Sequence, residues 1–78
     1  MRVYFHLIDD TDVPDQEGVE VADLGEARAR AVQQARGLIG EQLKIDGRIV
    51  LSHRIDIEDE HGAVLDTLYF RDMIRIES

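Results

Sequence analysis

The chain has 78 residues, 44% of them hydrophobic, which suits one small folded domain over residues 1–78, and its lack of cysteine excludes disulfides and thiolate metal sites. Its formal net charge of −8 repels phosphate backbones, so we expect no nucleic-acid binding, whereas a basic protein partner stays possible. No apolar run reaches the roughly 20 residues of a membrane span and no signal-peptide pattern opens the chain, so we expect a soluble cytoplasmic protein that does not bind membranes.

The first predicted element is a strand over residues 2–8, where side chains alternate in the strand period. Its core side would carry Val3, Phe5 and Leu7. An acidic, turn-rich connection follows over residues 9–18, punctuated by Pro14 and Gly18. Residues 19–21 then predict a short returning strand whose valines point inward.

An amphipathic helix is predicted from Asp23 to Lys44. Asp23 is a candidate N-cap, and Glu26, three residues later, completes a capping-box pattern. The apolar stripe that would face the sheet consists of Leu24, Ala27, Ala31, Val32, Ala35, Leu38, Ile39 and Leu43. Arg28 falls inside this stripe, and we expect its stem to be buried and its head to reach solvent. The alternative for Arg28 is a role in binding an anionic ligand.

Two more strands are predicted over residues 49–57 and 63–70, joined by a hairpin turn at residues 59–62. The inward side of the first would carry Ile49, Leu51, His53, Ile55 and Ile57. The phase of the second is ambiguous, and we assign Val64, Leu68 and Phe70 to the core, with Asp66 near the strand edge. An apolar tail expected to pack back on the sheet follows, formed by Met73, Ile74 and Ile76.

These elements predict an α+β domain with the order β-β-α-β-β. The sheet is expected to be antiparallel and four-stranded, in the order 2-1-3-4, with the helix packed on one face. Because alanines line the middle of the helix, we expect Phe5 to fill the space opposite Ala31 and Ala35, at the centre of the helix–sheet interface.

Three features together resemble a bacterial family that is catalogued only as a domain of unknown function. They are the opening Tyr4-Phe5-His6-Leu7 with Asp9, the Gly18-Val19-Glu20 segment ahead of Asp23-Leu24 and Glu26-Ala27, and the Asp59-x-x-Gly62 turn leading to Leu68 and Phe70-x-Asp72. The resemblance covers almost the whole chain and implies a small standalone protein with no activity to transfer. The strand–turn–strand–helix opening is also similar in topology to the antitoxin half of HicB-type toxin–antitoxin pairs, which implies sequestration of a basic ribonuclease.

A metal site is not predicted from the three histidines. His6 faces outward, His53 faces inward and His61 lies in a turn, so they do not converge on one ion. The acidic pattern Asp10-x-Asp12-x-x-Asp15-x-Glu17 misses the EF-hand spacing and its central glycine. We therefore expect no metal and no cofactor, while weak divalent binding by the loop Asp9–Gly18 stays open.

Catalytic chemistry is not predicted either. Glu58, Asp59 and Glu60 cluster at a hairpin tip, where water screens them and nothing raises a pKa for acid catalysis. Ser52 and Ser78 do not occupy a nucleophile elbow. We therefore expect a protein that is not an enzyme.

What remains is a surface. The sheet face opposite the helix would present Tyr4, His6, Ile8, Val50, Leu65 and Tyr69. Such an apolar and aromatic face, with nothing else in the chain to cover it, favours association, although the same residues scattered among charged neighbours could be merely half-covered. We predict a protein-interaction or regulatory module that homodimerises. The alternative is an antitoxin-like inhibitor of a small basic protein, and the third possibility is a small-ligand or metal-dependent enzyme.

Overall fold

The computed structural model describes residues 1–78 and consists of one helix packed on one antiparallel sheet. The strands are β1 (Arg2–Ile8), β2 (Asp12–Val13), β3 (Val19–Glu20), β4 (Arg54–Asp59) and β5 (Val64–Tyr69). The helix α1 spans Leu24–Asp46, and one turn of 3-10 helix follows β5 at Phe70–Asp72. The predicted α+β class, the single helix and the antiparallel sheet are confirmed.

The strand count and order differ in detail from the prediction. The sheet has five strands in the order β2-β1-β4-β5, with β3 also paired to β1, instead of four strands in the order 2-1-3-4. Since β4 pairs with β1 all the way from Val3 to Ile8, β2 and β3 share the other edge of β1. β2 lies inside the acidic segment 9–18, where two residues are too few for an alternating pattern to show.

The third predicted strand starts later than expected. β4 begins only at Arg54, because residues 51–52 form a turn. Ile49 and Val50 therefore precede the strand, and the predicted alternation does not apply to them. Leu51, predicted to point inward, is 43% exposed.

Local capping fixes both ends of α1. The Asp23 carboxylate accepts the N–H of Glu26 at 2.8 Å, and the Glu26 carboxylate accepts the N–H of Ala22 at 3.0 Å. Gly47 ends the helix in the left-handed conformation, with φ 66°, and donates its N–H to the carbonyl of Leu43. The predicted N-cap is confirmed, and the helix continues without a break to Gly47.

The core lies between α1 and the strands β4 and β5. The residues that α1 buries are Ala27, Ala31, Ala35 and Ile39. The largest fully buried side chains are Ile55, Ile57 and Val3. Phe5 is only partly buried and packs against this cluster, so the prediction that it fills the centre opposite Ala31 and Ala35 is wrong. The physical reason is that α1 packs mainly on β4 and β5 rather than on β1.

A β-bulge in β5 places some of its side chains on the opposite face of the sheet from the one predicted. Leu68 and Phe70 are buried, as predicted. Past the bulge, Val64 pairs with Glu58 and is 53% exposed, so its assignment to the core is wrong. Leu65 packs against the core instead, because the extra residue in β5 shifts the alternation by one.

Arg28 and Asp66, two charged residues at positions that the sequence pattern assigns to the helix–sheet interface, pair with each other. Arg28 extends from the apolar stripe of α1 with about half of its side chain exposed, and Asp66 lies on the helix side of β5. The second Asp66 oxygen accepts the N–H of Thr67 at 2.8 Å. This hydrogen bond satisfies one main-chain donor of β5, which is an edge strand. The ion pair, rather than an anionic ligand, accounts for the position of Arg28.

The tail after β5 packs on the core in part. Met73 is buried, and its carbonyl accepts a hydrogen bond from Arg36 Nε at 2.9 Å. Ile74 also packs against the core, as predicted. Ile76 is 81% exposed, so its predicted packing is wrong.

Candidate functional site

The sheet face that α1 leaves open carries four of the six predicted surface residues. They are Tyr4, His6, Ile8 and Tyr69. The rings of Tyr4 and His6 stack with their centroids 6.4 Å apart and an interplanar angle of 6°. Tyr69 is 38% exposed, and the guanidinium of Arg71 lies 5.1 Å from its ring centroid. The bulge also turns Val64 to this side, and these five apolar and aromatic residues, Tyr4, His6, Ile8, Val64 and Tyr69, are termed the open face.

Val50 and Leu65, the other two predicted surface residues, are not on the open face. Val50 precedes β4 and lies with Ile49 and Phe70 on the helix side of the sheet. Leu65 sits in the bulge and packs against the core. Both departures follow from irregular backbone, a turn in one case and a bulge in the other, which simple alternation cannot anticipate.

Charged side chains on the open face pair with one another. Asp56 is only 9% exposed, and its Oδ1 accepts hydrogen bonds from Arg54 Nε at 3.2 Å and Thr67 Oγ1 at 3.0 Å. His6 Nε2 lies 3.5 Å from a carboxylate oxygen of Glu58. Asp56 is thus paired with a cation within this face, and Glu58 lies beside the His6 ring.

The acidic loop covers one side of the open face, contrary to the expectation that nothing in the chain does so. Asp15 donates its backbone N–H to His6 Nδ1 at 2.9 Å. Gly18, at φ 71°, lies so close to Tyr4 that a Cβ atom there would stand 2.8 Å from the ring. The loop therefore packs against the two rings and holds them in place.

Asp15 organises this loop through its carboxylate. One oxygen accepts the backbone N–H groups of Glu17 and Gly18, each at 3.1 Å, and the other accepts the N–H of Phe5 at 3.2 Å. Partial burial opposes ionisation, but the hydrogen bonds from Gly18, Glu17 and Phe5 and the proximity of His6 outweigh it and hold the pKa of Asp15 below its ordinary value. The bond from Phe5 matters because this N–H lies between the segments of β1 that pair with β2 and β3.

The hydrogen bond from Asp15 also fixes the state of His6. Because Nδ1 accepts an N–H, the proton of the neutral ring belongs on Nε2, which points toward Glu58. A protonated imidazole would carry a donor at both nitrogens and would lose the bond to the loop.

The pKa of Asp59, at the hairpin, is shifted away from the range that acid catalysis needs. Hydrogen bonds from the backbone N–H groups of Ala63 and His61 hold the pKa of Asp59 below its ordinary value. A general acid needs the opposite direction. Asp59 thus acts as the structural residue of the turn, which Gly62 completes at φ 82°.

A second candidate site, which the sequence analysis missed, lies where the C-terminal half of α1 faces the segment before β4. This concavity, termed the C-terminal groove, has a volume of about 90 Å³. Its apolar lining consists of Leu7, Leu38, Ile39, Ile49, Val50 and Phe70. Its polar lining consists of Asp9, Gln42 and His53. An apolar concavity with a few polar groups is the typical form of a binding site.

His53 faces inward, as predicted, and its ring packs edge-on against Phe70 with centroids 5.7 Å apart. Its Nε2 is buried without a hydrogen-bond partner, and the nearest carboxylate oxygen, on Asp10, is 3.7 Å away. No group of three or more His, Asp or Glu side chains in the structure could hold a metal ion. The expectation of a metal-free protein stays a prediction.

Comparison with known proteins gives a family and no activity. The family model described as Domain of unknown function (DUF6894) matches residues 2–71, which confirms the resemblance to a family of unknown function. No curated protein and no solved structure matches the chain. The helix α1 lacks the length and apolarity that crossing a membrane would require.

Proposed function

We propose that this chain, which belongs to the DUF6894 family of unknown function, is a small non-enzymatic interaction module of the bacterial cytoplasm that pairs with a second copy of itself through the open face. The observation that carries the proposal is the pairing of polar groups on that face. Asp56 is paired with Arg54, Glu58 lies beside the His6 ring, and aromatic rings lie next to them. Tyrosine and arginine are enriched in protein interfaces.

Self-pairing requires a surface that does not repel its copy. Two chains of net charge −8 repel each other over most of their surfaces. The open face reduces this penalty, because Asp56 is already paired with Arg54. The hydrogen bonds that join Asp15 to His6 and Phe5 of β1 keep the loop and the His6 ring ordered before association, which lowers the entropic cost of binding.

Size-exclusion chromatography with light scattering at micromolar concentration tests the proposal. The wild-type chain should have about twice its monomer mass of 8.9 kDa. Tyr69→Glu should shift it to the monomer, because the contact would lose an aromatic ring and would have to remove a carboxylate from water. Ile76→Glu is the matched control, since it adds the same charge at an exposed position in the tail. A wild-type monomer, or equal responses to both substitutions, would contradict pairing through the open face.

A second candidate function is an antitoxin-like inhibitor of a small basic protein. The exposed carboxylates of the acidic loop favour it, because Asp10 and Asp12 form no ion pair with any lysine or arginine. Opposite charge would speed capture of a basic partner. The candidate requires a neighbouring reading frame that encodes a small basic protein and a product that co-purifies with this chain when the two are co-expressed. The absence of such a gene removes the candidate.

A further inference from the structure

The helix α1 is longer than the sheet beneath it. Its 23 residues span about 34 Å at roughly 1.5 Å per residue, whereas the seven residues of β1 span about 23 Å. The last residue that α1 buries is Ile39. Beyond it, Leu43 is 46% exposed and Ile45 is 69% exposed. The final turns of the helix therefore extend past the sheet with apolar side chains uncovered.

This overhang borders the C-terminal groove. Leu38 lines the groove and is 36% exposed, and Leu51, 43% exposed, follows the lining residue Val50. Large apolar side chains that are exposed together, rather than singly, mark interaction sites. The groove and the overhang both lie at the end of the molecule opposite the hairpin.

Three carboxylates lie in or next to the lining of the groove. Asp9 belongs to the lining, and Asp10 lies next to it, near His53, with 87% of its side chain exposed. Asp46 accepts a hydrogen bond from Gln42, another lining residue. No lysine or arginine is among the lining residues. An apolar floor with an acidic rim is complementary to a ligand that is apolar and basic.

We propose that the C-terminal groove binds an amphipathic segment of a partner protein, in which an aliphatic side chain fills the groove and flanking lysines or arginines meet the acidic rim. The inference rests on the interaction function proposed above and names a partner class for a second surface. A volume of about 90 Å³, below the roughly 150 Å³ of a cavity that admits benzene, leaves room for one side chain of modest size, such as an aliphatic one.

The polar groups of the groove agree with this occupant. His53 Nε2, buried without a partner, could accept a hydrogen bond from an N–H group of the segment. A second copy of this chain is a poor occupant, because it would bring the same surplus of carboxylates to the rim. The open face and the groove would therefore serve different partners.

A fluorescence-anisotropy titration with a dye-labelled synthetic helix of leucine and lysine tests the proposal. The wild-type chain should bind this peptide. It should bind two control peptides, one with serine in place of leucine and one with glutamate in place of lysine, at least about tenfold more weakly, which corresponds to about 1.4 kcal/mol. Equal binding of the serine peptide would overturn the apolar part of the proposal. Equal binding of the glutamate peptide would overturn the charged part.

Variants of the chain locate the peptide. Leu38→Ser should weaken binding about tenfold, whereas Val64→Ser, at an exposed position near the hairpin, should not. The pair Asp10→Lys and Asp46→Lys should weaken binding far more than Glu17→Lys and Glu60→Lys, which change the net charge equally at the other end of the molecule. Equal losses from the two pairs would mean general charge attraction and would overturn the site. Circular dichroism confirms that each variant is folded.

Two further outcomes separate this inference from the proposed homodimer. Tyr69→Glu should leave peptide binding unchanged, because the open face lies on the other side of the sheet from the groove. The peptide test therefore stands whether or not the chain dimerises. If Leu38→Ser converts a dimer to a monomer in light scattering, the occupant is a second copy and the inference is overturned.

Discussion

Replacing Asp15 by asparagine should detach the acidic loop from β1 and lower the free energy of unfolding. The carboxylate accepts three backbone N–H groups, two on one oxygen and one on the other. An amide keeps one acceptor and turns the second atom into a donor that faces a donor. Hydrogen bonds to a charged acceptor contribute about 1.5–3 kcal/mol each, but the site is partly hydrated, so we expect a total loss of about 1–2 kcal/mol at neutral pH.

The loss should depend on pH with a defined sign. The folded-state pKa of Asp15 lies below its ordinary value, so its contribution is present above the unfolded pKa of about 3.9 and disappears as the pH falls through the folded value. Urea unfolding followed by circular dichroism should therefore give wild-type and Asp15→Asn curves that differ at neutral pH and converge in acid. Asp12→Asn, whose carboxylate accepts no hydrogen bond, is the control. A difference that is the same at both pH values would refute the role of the ionised carboxylate.

Two other predictions concern packing and backbone conformation. Ile57→Ala should lower the free energy of unfolding by about 2–5 kcal/mol, because the side chain is fully buried. Phe5→Ala should lower it by less, because Phe5 is only partly buried. If urea unfolding gives the reverse order, the helix packs over β1 instead. Gly18→Ala should lower the free energy of unfolding by at least about 1–2 kcal/mol, because the position has a positive φ and the new Cβ would clash with the Tyr4 ring. Gly37→Ala has open space around it and should stabilise the helix by up to about 1 kcal/mol. Equal thermal midpoints for the two glycine variants would contradict this account.

The parts of the fold that depend on local chemistry could be predicted from the sequence. The Asp23 cap and the Gly62 turn involve residues a few positions apart, so their patterns are visible in the chain. The inward phase of Leu68 followed from alternation along a regular strand. These features are independent of how the elements pack.

The failures arose where backbone irregularity or packing decides the outcome. A bulge exchanges Val64 and Leu65 between the two faces, and nothing in their side chains marks it. The position of Phe5 depends on which strands lie under the helix, which is a property of the whole fold. The groove could have been anticipated only by comparing the length of α1 with that of the strands, since Leu38 looks like an ordinary core position in the apolar stripe.

Asp15 illustrates a further limit. The chain contains seven acidic residues before α1, and no pattern among them indicates which one makes the contacts of the loop. Its role follows from its position opposite the unpaired N–H of Phe5, which depends on the placement of β2 and β3. The central residues of the open face were therefore predicted from the sequence, whereas the loop that supports them was not.

The arrangement of β2 and β3 along β1 has a consequence for the solution behaviour of the protein. Each contributes only two residues, so this edge of β1 is covered by two short segments rather than by a full strand. Separation of β2 and β3 from β1 would break few main-chain hydrogen bonds and would expose the donors and acceptors of a seven-residue strand, a template for edge-to-edge aggregation. In amide hydrogen exchange, the β1 amides on the edge that faces β2 and β3 should therefore lose protection before the amides of β4. Acidification, which neutralises Asp15, should lower the protection factors of these amides relative to those of β4 and should promote precipitation.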